Sequence, residues 1–300
     1  MPSNVAYAPD TPVNRQHEVM RKVSRRLLGF LFVCFVLSFL DRINIGFAGL
    51  TMMDDLGLSS TQFGMATTLF YIAYIAFGIP SNIALAADRP SPATADEHSP
   101  LRLREVFSSS VIKFSLVYFC LVNTLAMIAV WTPLIVKSIT APGSSHTLIG
   151  FLATIPQVCT VIGMLCWGLH SDRSQERKWH LVLPMLMAAT GWLFAAYAPN
   201  PVLQLLGICM AATGSYSAMS IFWTTPDQAM SFQARAIGIA VINAFGNIGS
   251  AVNPLVVGWL RDSTQSFTAG IVYATVLLVI GSLLVFLLPI KPAPQARVTP

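Results

Sequence analysis

The sequence predicts an all-α polytopic membrane protein with about eight transmembrane helices. Of its 300 residues, 54% are hydrophobic and only 10% are charged, whereas about a quarter of the residues of an ordinary soluble domain are charged. The apolar residues come in blocks of about 18 to 25, the length of a helix that crosses a bilayer. These blocks leave too little chain for a sizeable soluble domain.

The blocks that carry few or no charges define the predicted helices in chain order. They are 27–50, 63–87, 114–136, 147–169, 181–198, 202–225, 236–260 and 267–290. The fifth is the shortest. In the second block, Gly78 and Pro80 are expected to end the regular helix before Ser81 and Asn82, because proline cannot donate a backbone hydrogen bond.

The basic residues predict the orientation of these helices. Of 18 Lys and Arg residues, 15 lie in the two tails or in the loops on one side of the predicted membrane, while only Lys137 and Arg261 lie on the other. Cytoplasmic loops are the ones that carry excess Lys and Arg. Both termini are therefore expected in the cytoplasm, and the net charge of +5 reflects insertion rather than binding to nucleic acid.

No residue pattern indicates a metal site, a cofactor or enzymatic chemistry. The five cysteines form no CxxC pair and are expected to be small buried apolar residues; they are Cys34, Cys120, Cys159, Cys166 and Cys209. The five histidines lie in tails, loops or helix ends without HExxH spacing, and GxSxG and Walker motifs are absent. An intramembrane enzyme remains only a residual alternative.

Asp41 and Arg42 are the two ionisable residues within the predicted spans. Charged groups at bilayer depth cost roughly 2.5–3.5 kcal/mol each, so they usually have a function. Arg42 could meet an anionic substrate while Asp41 carries a coupling proton or orients the guanidinium. Alternatively, the pair lies near the helix end and snorkels to the interface. The apolar run that continues beyond them favours the functional interpretation.

Uncharged polar residues mark a second set of candidates in later blocks. Tyr74 lies in the middle of the second block, and Asn243 lies one turn before Asn247 in the seventh. The sixth block carries Trp223 and a polar stripe, Thr213, Ser217, Ser220 and Thr224. Such groups often bond a neighbouring helix, but two stripes on neighbouring segments favour a polar pathway. Small residues in the seventh block predict close helix packing; they are Ala236, Ala240, Ala244, Gly246 and Gly249.

A tight turn of alternating charge is predicted between the fourth and fifth blocks. It has the spacing G-x-x-x-D-R-x-x-x-R-K, carried by Gly168, Asp172, Arg173, Arg177 and Lys178. This resembles the cytoplasmic gating loop of the major facilitator superfamily. Further stretches resemble its anion:cation symporter branch, which includes tartrate, phthalate, hydroxyphenylacetate and sugar-acid permeases; they are 40–48, 55–59, 79–82, 170–173 and 242–262.

This resemblance implies a bundle of twelve helices in two six-helix halves, whereas the chain has about eight. The predicted blocks resemble helices one, two and seven to twelve, so helices three to six are missing. The implied organisation is an N-terminal tail (1–26), a two-helix remnant of the first half (27–87), a central cytoplasmic loop (88–110), a six-helix second half (111–290) and a C-terminal tail (291–300). The loss of four spans keeps every other span in its normal orientation.

The resemblance also implies a function and a set of site residues. It implies proton-coupled symport of small organic anions such as tartrate, aromatic acids or sugar acids, by alternating access in the cell inner membrane, with no cofactor. Arg42 would bind the substrate carboxylate, Asp41 would couple the proton, and four residues would line the site: Tyr74, Ser220, Trp223 and Asn243. The alternatives are an internally deleted, inactive remnant, and rescue by association with a second copy or a partner.

Overall fold

The structure, a computed structural model, describes residues 43–87, 108–230 and 232–290, together with six separate positions between 27 and 37. The predicted functional residues Asp41 and Arg42 lie outside the described residues. Two compact units, Met1–Ile45 and Gly46–Pro300, divide the chain. The described positions of the first unit, among them 43–45, are helical.

The second unit is built from helices, and no strand occurs in its described ranges, which confirms the predicted all-α class. Helix α1 covers residues 43–55 and enters this unit at residue 46. The other helices are α2 (Ser60–Ala87), α3 (Ser109–Ile139), α4 (His146–Ser174), α5 (Lys178–Tyr197), α6 (Pro201–Phe222), α7 (Phe232–Thr264) and α8 (Thr268–Val285). By length and composition, α3, α4, α5, α6, α8 and the Gly238–Thr264 part of α7 could cross a membrane.

One predicted break in helical structure is wrong, and one predicted turn is shorter than expected. Helix α2 continues through Pro80 to Ala87, because the neighbouring groups of a long apolar helix tolerate one missing donor. Helix α4 runs to Ser174, so Gly168, Asp172 and Arg173 lie on its last two turns. Only residues 175–177 form the turn itself, and Gln175 ends α4 with a φ of 54°.

The core lies where α7 and α5 pack against their neighbours. Helix α7 packs against α2 and α3, while α5 packs against α6 and α8, and α4 packs mainly against α6. Large side chains that are fully buried fill these contacts: Trp131, Trp192, Phe63, Phe114 and Phe222. Among the helices that could cross a membrane, α4 is the least buried: only 22% of its apolar 18-residue stretch lies inside the protein.

Glycines allow α7 to approach its neighbours closely. A Cβ atom at Gly249 would lie 2.5 Å from the backbone oxygen of Phe119 in α3, and a Cβ atom at Gly246 would overlap the ring of Tyr118. On the other side, Gly64 of α2 lies directly against the carbonyl of Pro254. The predicted small-residue surface of α7 is confirmed at Gly246 and Gly249, where only a hydrogen atom fits between the helices.

Helix α3 contains a wide, π-helical turn, Met127–Trp131. Pro133 follows it and has no N–H to donate to the carbonyl of Ala129, so the regular hydrogen-bond register is interrupted there. Gly46 of α1 lies against this turn, where an added Cβ would stand 2.6 Å from the Ala129 oxygen. The turn therefore coincides with the crossing of α1 and α3.

The cysteine prediction is confirmed in part. Cys120 and Cys209 are buried, but Cys34 and Cys166 are exposed. For those two the expectation of burial is wrong. A cysteine behaves as a small apolar residue, so it can also lie on the exposed apolar surface of a helix.

Replacement of Gly64 by alanine is expected to destabilise the α2–α7 contact. The new methyl group would meet backbone rather than a movable side chain, and overpacking of this kind costs about 1–3 kcal/mol. Unfolding of the purified protein in mixed micelles measures the loss. Gly150→Ala is the matched control, because the nearest atom to its added Cβ is a side-chain carbon of Phe47 at 3.9 Å. Equal stability of the two variants would contradict the close contact.

Candidate functional site

Two of the predicted binding residues, Trp223 and Asn243, are joined by Tyr118 of α3. The hydroxyl group of Tyr118 donates to Oδ1 of Asn243 over 3.3 Å, and its ring lies edge-on to Trp223 with centroids 4.9 Å apart. The same ring stacks on Phe222 at 5.2 Å. Tyr118 is only 4% exposed, so these neighbours enclose its side chain. We call Tyr118, Phe222, Trp223, Asn243 and Asn247 the aromatic–amide cluster.

The other two predicted binding residues, Ser220 and Tyr74, lie on α6 and α2. The hydroxyl group of Ser220 donates to the carbonyl of Ser217 in its own helix over 2.8 Å. Tyr74 lies on α2 and is 47% exposed. The structure therefore brings Trp223 and Asn243 together at Tyr118. Ser220 is hydrogen-bonded within its own helix, and Tyr74 is half-exposed on α2.

Sequence reasoning missed Tyr118 and a second buried network of polar groups. Asn123 of α3 donates to the hydroxyl oxygen of Tyr273 over 2.8 Å and to the carbonyl of Gly249 over 3.2 Å. Asn253 of α7 donates to Oδ1 of Asn123 over 3.0 Å. Both asparagines have no exposed surface. The available signal was an amide inside an apolar helix, which needs a partner on another helix.

The predicted gating-loop residues are partly tied together at the α4–α5 turn. Arg177 pairs with Asp172 over 2.8 Å and also donates to the hydroxyl group of Ser171 over 2.7 Å. Arg173 is exposed, and a Cβ atom at Gly168 would meet no atom within 4 Å. The ion pair thus closes the short turn that reverses the chain.

The same turn brings two histidines together. Nδ1 of His170 lies 2.7 Å from Nε2 of His180, and Nδ1 of His180 lies 3.0 Å from a carboxylate oxygen of Glu176. Trp167 flanks both rings. The two histidines are ten residues apart and end up on adjacent helices, so their meeting depends on the chain reversal. Within the described ranges, no group of three or more His, Cys, Asp or Glu side chains is arranged so that it could hold a metal ion.

Glu176 accepts several hydrogen bonds at the start of α5. Partial burial acts to raise its pKa, but the backbone N–H groups of Trp179 and His180 and the side chain of His180 together hold the pKa of Glu176 below its ordinary value. The two backbone donors are among the first N–H groups of α5, which have no partner within the helix. The carboxylate therefore stabilises the helix start in its charged form.

Two acidic residues connect the ends of four other helices. Asp54 joins the end of α1 to the end of α3, and Asp262 joins the end of α7 to the start of α2. Lys137 pairs with Asp54 over 2.8 Å and donates to the carbonyl of Leu50 over 3.2 Å. Asp262 accepts from the backbone N–H groups of Ser60 and Thr61 over 3.0 and 2.7 Å. It also accepts from the Thr61 hydroxyl group over 2.6 Å.

We call the contacts of Asp54 with Lys137 and of Asp262 with the start of α2 the latch. The ion pair of the latch is solvent-exposed, so it contributes little on its own. The Asp262 carboxylate instead caps the N-terminus of α2 from another helix, where a negative charge is favoured. Two stretches that carry the family resemblance, around residues 59 and 260, therefore meet here.

The fold is that of a helical protein in which several helices are long and apolar enough to cross a membrane. The family model described as Major Facilitator Superfamily matches residues 114–300, and the chain belongs to this family. Its members are transporters, which confirms the expectation that the protein is not an enzyme. Its substrate is accordingly a small molecule, and the protein is embedded in a membrane.

Relatives with assigned names are similar over most or part of the chain. A "Putative tartrate transporter" of Agrobacterium vitis is 26% identical, covering 93% of this chain and 92% of the relative. In Escherichia coli K12, "Inner membrane transport protein RhmT" is 32% identical over 48% of this chain and 34% of its own. "Probable galactarate/D-glucarate transporter GarP" of the same strain is 30% identical over 44% and 31%.

The tartrate-transporter comparison also bears on the length of the chain. Its alignment runs over 419 positions, whereas this chain has 300 residues. At least 119 of those positions therefore have no counterpart here. Because both chains are covered almost completely, the difference is what the predicted internal deletion requires.

We expect Glu176→Gln to lower stability in a pH-dependent manner. A carboxyl group whose pKa is lowered in the folded state stabilises the fold above its unfolded pKa, and this contribution is lost as the pH falls through the folded pKa. The difference in melting temperature from the wild type should be present at pH 7 and shrink at pH values below about 4. Asp55→Asn, which changes an exposed carboxylate, is the control. A difference that grows on acidification would contradict this role.

Proposed function

We propose that the protein transports small organic anions by proton-coupled symport in the cell inner membrane, with both termini in the cytoplasm. The observation that carries this proposal is the meeting of Trp223 and Asn243 at Tyr118, between helices of a Major Facilitator Superfamily chain. Relatives named for tartrate and for galactarate and D-glucarate support a hydroxy-acid substrate. The name of RhmT supports the inner membrane.

In this proposal the intramembrane charges act on the substrate and the proton. Arg42 binds the substrate carboxylate, because a guanidinium forms two parallel hydrogen bonds with it. Asp41 takes up and releases the coupling proton. Tyr74, Ser220, Trp223 and Asn243 supply uncharged polar groups around the remaining oxygens of the substrate.

Alternating access requires one end of the site to close while the other opens. The latch is the proposed outer closure, since Lys137 and Arg261 lie on the side with few basic residues. At the other end, the Asp172–Arg177 pair holds the α4–α5 turn, the proposed cytoplasmic gating loop. With helices three to six absent, the two-helix remnant α1–α2 would act as the counterpart of the six-helix half.

Uptake into liposomes tests the proposal directly. With an inward proton gradient, the purified protein should accumulate radiolabelled tartrate, galactarate or an aromatic acid, for which nicotinate is the probe. Arg42→Ala should reduce this uptake at least about tenfold, since a hydrogen bond to a charged group is worth about 1.5–3 kcal/mol. Arg102→Ala, in the predicted central loop, is the matched control. Absence of uptake by the wild type across the panel would instead support the inactive remnant.

The latch should control access from the outer side. Asp262→Asn removes the charge that caps α2 and should open this end more often. A cysteine introduced by Thr67→Cys, at a position that is 2% exposed, should then react several-fold faster with a membrane-impermeant thiol reagent. Asp55→Asn in the same background should leave the rate unchanged. Equal rates in both variants would show that the latch does not hold this end closed.

A further inference from the structure

The side-chain amide of Asn243 has an orientation fixed by its neighbour one turn away. One side-chain atom of Asn247 lies 2.8 Å from the backbone oxygen of Asn243 and 2.9 Å from the nearer amide atom of the Asn243 side chain. A backbone carbonyl only accepts hydrogen bonds, so the Asn247 atom must be its NH₂ group. The Asn243 atom that faces it must then be an acceptor, Oδ1.

Tyr118 contributes a second hydrogen bond to the same oxygen. Its hydroxyl group lies 3.3 Å from Oδ1 of Asn243. Both lone pairs of this oxygen are therefore used, and the NH₂ group of Asn243 points away from Tyr118 and Asn247. Within the part of the chain that the structure describes, this NH₂ group makes no hydrogen bond, and the side chain is half-buried.

The ring of Tyr118 is itself held in place. It lies against Gly246 of α7, where no Cβ would fit, and it stacks on the ring of Phe222 at 5.2 Å. The hydroxyl group can therefore reach Asn243 from one direction only. The orientation of the amide is fixed from α3 as well as from α7.

Trp223 adds a further donor next to this amide. An indole N–H can donate but not accept, and among the described residues Nε1 of Trp223 has no hydrogen-bond partner. Its ring lies 4.9 Å from that of Tyr118. The cluster thus offers N–H donors while its acceptor oxygen is occupied.

We infer that Tyr118 and Asn247 are positioning residues that hold Asn243 as a hydrogen-bond donor, so that this point of the site recognises a carboxylate oxygen rather than a substrate hydroxyl hydrogen. The inference rests on the proposed function and refines it. A neutral donor group can bind an anion without holding it as tightly as a second guanidinium would, which suits a substrate that must be released.

Three substitutions test the orientation of the amide. Tyr118→Phe keeps the ring and removes the hydroxyl group, and should raise the KM for tartrate about three- to tenfold. Asn247→Asp replaces the donor by an acceptor and should turn the Asn243 amide around. Asn243→Asp removes the donors altogether. The last two should each raise the KM roughly ten- to hundredfold, with the maximal rate changed less than about twofold.

A selectivity measurement separates positioning from mere structural support. Threitol, the neutral tetrol with the carbon skeleton of tartrate, competes through hydroxyl groups alone. The preference for tartrate over threitol should fall in Asn247→Asp by the same factor by which the KM for tartrate rises. Tyr273→Phe is the matched control, since it removes a tyrosine hydroxyl group bonded to Asn123 instead, and it should leave both quantities unchanged. Binding is checked independently by tartrate-induced thermal stabilisation of each purified variant.

The outcomes distinguish this inference from the proposed function. Wild-type uptake of tartrate together with unchanged KM and selectivity in all three variants would overturn the inference and leave the proposed function in place. Failure of the wild type to bind or transport tartrate, galactarate and nicotinate would overturn both. A loss shared equally by Tyr273→Phe would show a general structural effect and overturn the positioning role.

Discussion

The close contact of α7 with α2 and α3 is the constraint on which the rest of the structure depends. Glycines at the crossing points allow backbone to meet backbone, and this approach brings the amide groups of one helix within reach of the next. Inside a bilayer, no water is available to form hydrogen bonds with such groups. The short distance between the helices therefore decides which polar side chains can be satisfied, and by which partners.

The two polar clusters of α7 illustrate this in different ways. Asn253 and Asn123 are completely buried and bond each other, which joins α3 to α7 with no surface left over. Asn243 lies further along the same helix and is only half-buried. The first arrangement suits a fixed joint, while the second leaves a polar group available. One helix thus combines a structural role with the proposed recognition role.

The sequence predicts the helices well and their partners poorly. Apolar blocks of membrane-spanning length locate both ends of helices α2 to α8 to within about five residues, since hydrophobic length is a local property. The prediction that Pro80 ends α2 is wrong, because the effect of a proline on a helix depends on the surroundings of that helix. The residues that meet across helices, such as Tyr118 with Asn243 or His170 with His180, depend on crossing points that a linear pattern does not contain. Gly246 pointed to a close approach, but not to the tyrosine that fills it.

The candidate site shows the same division. The family resemblance implies Trp223 and Asn243 as site residues, and the structure joins them through Tyr118, which lies in none of the family motifs. The capping of α2 by Asp262 was likewise hidden, because donor and acceptor are about 200 residues apart. Conversely, the donor character of Asn243 follows from geometry alone, since an amide in a sequence offers both a donor and an acceptor.

The wide turn at Met127–Trp131 changes the direction in which the side chains of α3 face. One additional residue in a helical turn shifts everything beyond it by about 100° around the axis. Before the turn, Tyr118 and Asn123 face α7; after it, Lys137 reaches the end of α1. A straight helix with the same residues could not direct both ends as they are, so a single missing N–H at Pro133 lets one segment serve two different neighbours.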